Sequence, residues 1–104
     1  MTATGFLTVS PKVEGSMAPE IAKAVDALEE YDVEYETTPM GTVLEASAAS
    51  ELFAAAAAAH EAVDSERVGT LLKIDDKRTV DQAAAEKVRR VEDHLGREAR
   101  SGTE

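Results

Sequence analysis

Two hydrophobic periods alternate along this chain, and their order constrains the fold more than any other feature. Gly5 to Ser10 (GFLTVS) is a short apolar and β-branched run stopped by Pro11, which reads as a first strand. Beyond the loop Pro11 to Ser16, residues Met17, Ile21, Ala24, Val25 and Leu28 recur at helical spacing, opposite Glu20, Lys23, Asp26 and Glu29. Proline at position 19 fits only a first turn, so the spacing predicts a helix from Met17 to about Tyr31. Val33 to Thr38 then alternates, with Val33, Tyr35 and Thr37 on one face and a wet face of Glu34, Glu36 and Thr38. Thr42 to Ala46 reads as a third strand, and Ser47 or Ser50 as the N-cap of a second helix. In that helix Leu52, Ala56, Ala59 and Val63 step by 4, 3 and 4, and the run Ala54 to Ala59 makes it thin enough to approach a sheet closely. Val68 to Asp75 is a fourth strand. Thr79 with Gln82 forms a capping box for a last helix through Ala84, Val88, Val91 and Leu95, before a polar tail from Gly96.

The order β-α-β-β-α-β plus a terminal helix is that of an α+β, ferredoxin-like sandwich, with two helices on one face of a four-stranded antiparallel sheet. Residues 1–96 are expected to form one domain and 97–104 a polar tail. The first strand is apolar on both sides, Phe6 against Leu7 and Val9, and the fourth offers Leu71 against Leu72. A lone subunit would leave the second apolar face wet, so sheet-to-sheet or edge-to-edge association of copies is expected.

Composition removes whole classes of function. The 104 residues contain no cysteine, which excludes disulfides and thiol chemistry. The formal charge of -10, from 21 acids and 11 bases, argues against nucleic acid and anionic membranes as partners. The longest apolar run, Phe53 to Ala59, falls far short of the ~20 residues that span a bilayer. With no visible secretory signal, the expected compartment is the cytoplasm. Dense carboxylates, much alanine and little lysine match the composition of proteins from salt-accumulating halophiles, an ordinary acidic bacterial protein being the alternative.

The segment Thr38-Pro39-Met40-Gly41 is the least ordinary. Proline at the second position suits a type I turn, and primed hairpin turns are closed to it, so a connection wider than a minimal hairpin is expected. Thr37, Thr38, Thr42 and Glu45 would then line a lip with hydroxyls and a carboxylate, Met40 serving as a soft apolar lid, the alternative being a rigid turn with surface threonines. Elsewhere the chemistry is thin. Asp75 and Asp76 point to opposite faces of a strand and read as a salt-bridged loop, Asp75 being the better functional candidate with Lys73 on its face. His60-Glu61 lacks a second histidine at position 64 and reads as a half-buried, hydrogen-bonded residue. His94 suits a helix C-terminus, and Glu86, Arg89, Arg90 and Asp93 a mixed-charge face. No metal site and no catalytic set is expected.

YETTPMGTVLE (Tyr35 to Glu45), with the HEAV of His60 to Val63, the KIDDKR of Lys73 to Arg78 and the KVRRVE of Lys87 to Glu92, resembles a family of small thiamine-binding proteins, long catalogued as an uncharacterised family. The resemblance implies a ferredoxin-like subunit, dimers joined into homotetramers, and binding of thiamine or its hydroxymethylpyrimidine half near subunit interfaces, with no further cofactor. The loop PKVEGSM is less glycine-rich than the family's, and Ala46-Ser47-Ala48 replaces a more polar stretch. The residues that match such a ligand are Ser10, Thr37, Thr38, Met40, Gly41, Thr42, Glu45, Lys73 and Asp75, with Phe6 or Tyr35 available to a ring face. The net negative charge favours the free cation over its phosphorylated forms. Two further readings stand beside a non-catalytic carrier, buffer or sensor. One is a small enzyme using Asp75 or Glu45 as base, the other a regulatory module holding an anion through Lys73 and Arg78.

Overall fold

The computed structural model describes residues 2–79 and 82–101. Strand β1 (Thr2–Pro11) leads to helix α1 (Ala18–Ala27), which tightens into a 3₁₀ turn over Leu28–Glu30. Strands β2 (Glu34–Thr38) and β3 (Gly41–Ala46) form a hairpin, followed by α2 (Ala49–Ala62), β4 (Val68–Lys77) and α3 (Ala84–Leu95). The sheet order is β2-β3-β1-β4, and every neighbouring pair is antiparallel. This is the ferredoxin-like arrangement that the pattern predicts.

The side-chain period of two sorts the sheet into faces. Ala3, Leu7 and Val9 of β1 and Leu44 and Ala46 of β3 are buried, joined by the partly buried Leu72 and Ile74 of β4. Ala24 of α1, Leu28, and Leu52, Ala55, Ala56 and Ala59 of α2 close over them. The alanine face lets α2 sit close to the strands. A Cβ added at Gly5 would stand 3.3 Å from Leu52 Cδ1, so the strand needs a residue without a side chain where this leucine of α2 packs. On the other face lie Phe6, Val43, Leu71 and Lys73, with Leu71 57% exposed.

Three local expectations are corrected. β1 begins three residues before Gly5 and includes Pro11, whose missing N–H is harmless at a strand end. The N-cap of α2 is Ala48, between the two serines, so neither hydroxyl is placed to cap, and no side-chain cap bond forms. The N-cap of α3 is Ala83, four residues beyond Thr79, and again no capping side chain of its own is used. A residue from another strand replaces it: the Glu45 carboxylate accepts the Ala84 N–H at 3.1 Å. α3 thus meets the sheet face opposite α1 and α2. Lys87 donates to Asp75 at 2.5 Å, but Val88, Val91 and Leu95 stay about half exposed at 51, 54 and 46%. Gly96, at φ 75°, ends the helix in the left-handed conformation, its N–H returning to Glu92 O at 2.8 Å. Residues 102–104 of the expected tail lie outside the described residues.

Candidate functional site

The Pro39-Met40 connection is a minimal one. Thr38 and Gly41 are cross-strand partners, leaving two residues between the strands. Thr38 supplies what the wrong-handed turn lacks: its Oγ1 donates to Gly41 O at 2.7 Å and accepts from the N–H of Met40 (3.2 Å) and of Gly41 (3.3 Å). Gly41, at φ 157°, absorbs the remaining twist in a region that side chains avoid. A Cβ there would lie 2.6 Å from Phe6 Cζ and 2.9 Å from Leu7 O, so this lip presses onto β1 as only glycine permits.

Behind the lip, between α1 and the sheet, is a cavity of about 220 Å³. Leu7, Val9, Ile21, Ala24, Val25 and Leu28 give it apolar walls. Ser10, Thr37, Thr38 and Thr42 add hydroxyls, and Met17 and Met40 border it with Pro39 and Gly41. The cavity has a simple cause. Thr37 and Thr42 are short side chains facing Ile21 and Val25, whereas under α2 the gap is closed by helix-to-sheet contact of alanines. Thr42 is 6% exposed, and its Oγ1 lies 3.2 Å from that of Thr37. A pair of hydroxyls has two donors and uses one internally, so the other remains for a ligand, together with unused lone pairs. None of the described residues lining this cavity is charged.

Of the residues singled out from sequence, Ser10, Thr37, Thr38, Met40, Gly41 and Thr42 are brought together here. Glu45, Lys73 and Asp75 are not. Glu45 sits three positions beyond Thr42 in β3 and faces the opposite side of the sheet, where it caps α3. Lys73 pairs across strands with Phe6 and Asp75 with Thr4, on that same far face. Lys87 holds the Asp75 carboxyl below its ordinary range, chiefly by their hydrogen bond. Arg78 bonds Asp76 at 3.0 Å. His60 is half-buried, with Nδ1 2.5 Å from Thr70 Oγ1. Among the described residues no His, Asp or Glu cluster is placed to hold a metal ion, and no helix is long and apolar enough to cross a membrane.

Sequence reasoning missed the contribution of α1. Met17, Ile21 and Val25 read as one core stripe, yet all three border the cavity. The available signal was the pairing of that stripe with threonines on the inner face of the hairpin. Glu20 anchors this helix: Oε1 accepts the Asp64 N–H and Oε2 bonds Lys23, both at 2.8 Å. The Lys23 hydrogen bond, then that from Asp64, lowers the Glu20 pKa.

Fold and cavity together define a ferredoxin-like, small-molecule-binding domain. The chain belongs to the thiamine-binding protein family, whose pattern matches residues 6–92. It is 44% identical over 97 residues to a UPF0045 protein of Methanothermobacter thermautotrophicus, covering 88% of this chain and 98% of that one. A crystal structure of a hypothetical protein from Methanocaldococcus jannaschii superposes with a TM-score of 0.79 at 30% identity, over 86% of this chain and 95% of the other. A Thermotoga maritima structure, provisionally assigned to thiamine biosynthesis or salvage, gives 0.74 at 22% identity over 88% and 99%, a likeness of fold alone.

Proposed function

We propose that this protein binds thiamine or its hydroxymethylpyrimidine half without turning it over, as a cytoplasmic carrier, buffer or sensor. The observation that carries the reading is the uncharged cavity under α1, with the Thr37–Thr42 hydroxyl pair on its floor. An aminopyrimidine presents ring acceptors and an amine donor in one plane, and a hydroxyl pair can answer both. The apolar walls and Met40 suit its ring faces. Membership of a family described as thiamine-binding supports the same ligand. The family resemblance also favours sites near subunit seams of a homodimer or homotetramer. Leu71, Val88, Val91 and Leu95 support self-association, being apolar and about half exposed on the face that α3 only partly covers.

The enzyme reading has less support, because Glu45 and Asp75 are engaged with α3 on the far side of the sheet. An anion module through Lys73 and Arg78 also fares worse, since Arg78 is paired with Asp76. Calorimetric titration with thiamine and with hydroxymethylpyrimidine, alongside native mass spectrometry in high salt, tests the proposal. Saturable binding by an oligomer, with the ligand recovered unchanged, is expected. A monomer that takes up neither compound would refute it.

A further inference from the structure

A second hollow adjoins the cavity on the outer side of α1. It lies between that helix and the edge strand β2, and shares Ile21, Val25 and Thr37 with the first. Its other walls include Asp26, Glu29 and Tyr35. None of the described residues lining either hollow is a lysine, arginine or histidine. We propose that this outer hollow holds the cationic part of the ligand while the inner cavity holds its neutral ring, with Asp26 and Glu29 as specificity-determining residues. The inference rests on the reading of the inner cavity as the pyrimidine site.

Size, contact and charge lead to this division. At about 220 Å³ the inner cavity is below the ~300–1,000 Å³ typical of pockets that enclose a whole drug-sized ligand. One substituted ring fits, and a second ring bridged to it must emerge. The polar group that marks the inner compartment is Thr42, buried to 6% exposure and left with hydroxyl capacity after pairing with Thr37. Because Thr37 borders both hollows, a ligand bonded to the pair already stands at the passage. Beyond it the walls carry two carboxylates and an aromatic ring. The Tyr35 hydroxyl is hydrogen-bonded to Glu29, which steadies the ring as a surface for a cation.

A competing exit exists. A third hollow, lined by Ser10, Pro11, Lys12, Arg67 and Gly69, would suit a phosphate, but it shares only Ser10 with the inner cavity. Three shared walls against one favour the acidic exit, and with it the unphosphorylated cation. The geometry therefore gives a residue-level cause for a preference that overall charge could only outline.

The test is calorimetry on the intact chain and on the isosteric double variant Asp26→Asn/Glu29→Gln, with thiamine, thiamine monophosphate and neutral hydroxymethylpyrimidine. The variant should bind thiamine about three- to tenfold more weakly, the scale of two exposed charge contacts. Hydroxymethylpyrimidine affinity should stay within about twofold, since no charge is lost to it. In the wild type, added KCl should weaken thiamine and spare hydroxymethylpyrimidine, a check that needs no variant. Equal losses for both ligands, no loss for thiamine, or monophosphate binding that is tighter than thiamine and falls in Lys12→Gln/Arg67→Gln would each overturn the inference. Failure of the wild type to bind either uncharged or cationic ligand would instead reject the inner site itself.

Discussion

Glu45 caps a helix 39 residues away: its carboxylate accepts the Ala84 N–H at 3.1 Å and fixes the start of α3 on the far face of the sheet. With the Lys87–Asp75 pair this is how α3 is held, since the helix has no buried residue of its own. Glu45→Ala should therefore cost about 0.5–2 kcal/mol of α3 stability, the range of a lost N-cap. Amide exchange should accelerate along residues 84–95 while the core under α2 keeps its protection. Ligand binding in the cavity, on the other face, should be unchanged.

The Asp75 carboxyl titrates below its ordinary value of 3.8 because Lys87 bonds its charged form. A depressed pKa in the folded state contributes stability that is present above the unfolded value and lost as pH falls through the folded one. Docking of α3 should therefore loosen below pH 3.8, seen as faster exchange or loss of helical dichroism. Asp75→Asn should remove that part of the pH dependence and leave the rest of the acid transition in place.

Gly41 is the tightest point of the lip. An alanine Cβ would stand 2.9 Å from the Leu7 carbonyl oxygen, a backbone atom that cannot swing aside, at a φ of 157°. Gly41→Ala should destabilise the protein by about 1–3 kcal/mol in chemical denaturation. It should also weaken ligand binding, because the lip must lift away from β1.

Thr42→Val keeps the shape and removes a hydroxyl that is almost fully buried. A neutral hydrogen bond contributes about 0.5–1.5 kcal/mol, so pyrimidine affinity should fall by roughly two- to tenfold with little change in melting temperature. Unaltered affinity would separate this pair from recognition.

Ala59, fully buried where α2 meets the sheet, is the place to test close packing. Ala59→Leu should cost about 1–3 kcal/mol by forcing helix and sheet apart. Leu52→Ala at the same interface should cost about 2–5 kcal/mol by opening a cavity.

Much of the fold was legible because its signals are local. Val33 to Thr38 alternates with a period of two, and Tyr35 against Glu34 and Glu36 keeps the expected inner and wet faces, whereas at the strand end Thr37 is exposed and Thr38 half-buried. The alanine run forms the thin helix that its composition implies. The caps of α2 and α3 are not legible in the sequence, since serines and a threonine near a helix start are only candidates until the backbone selects one residue. The rule against proline in primed turns predicts a wide hairpin, but it omits a side chain like Thr38, which closes the turn itself. The division of the site was available in principle. Thr42 and Glu45, three apart in one strand, cannot face the same ligand.

The sequence alone determined the order of elements and which residues share a face, because both follow from repeats of two and 3.6 residues that any short window contains. Only the tertiary structure decided which faces meet. Pairing Thr37 with Thr42, setting Ile21 and Val25 over short side chains to leave a cavity, and bringing Glu45 to Ala84 all depend on strand register and helix placement. Those are settled by burial summed over the whole chain, which no local pattern encodes.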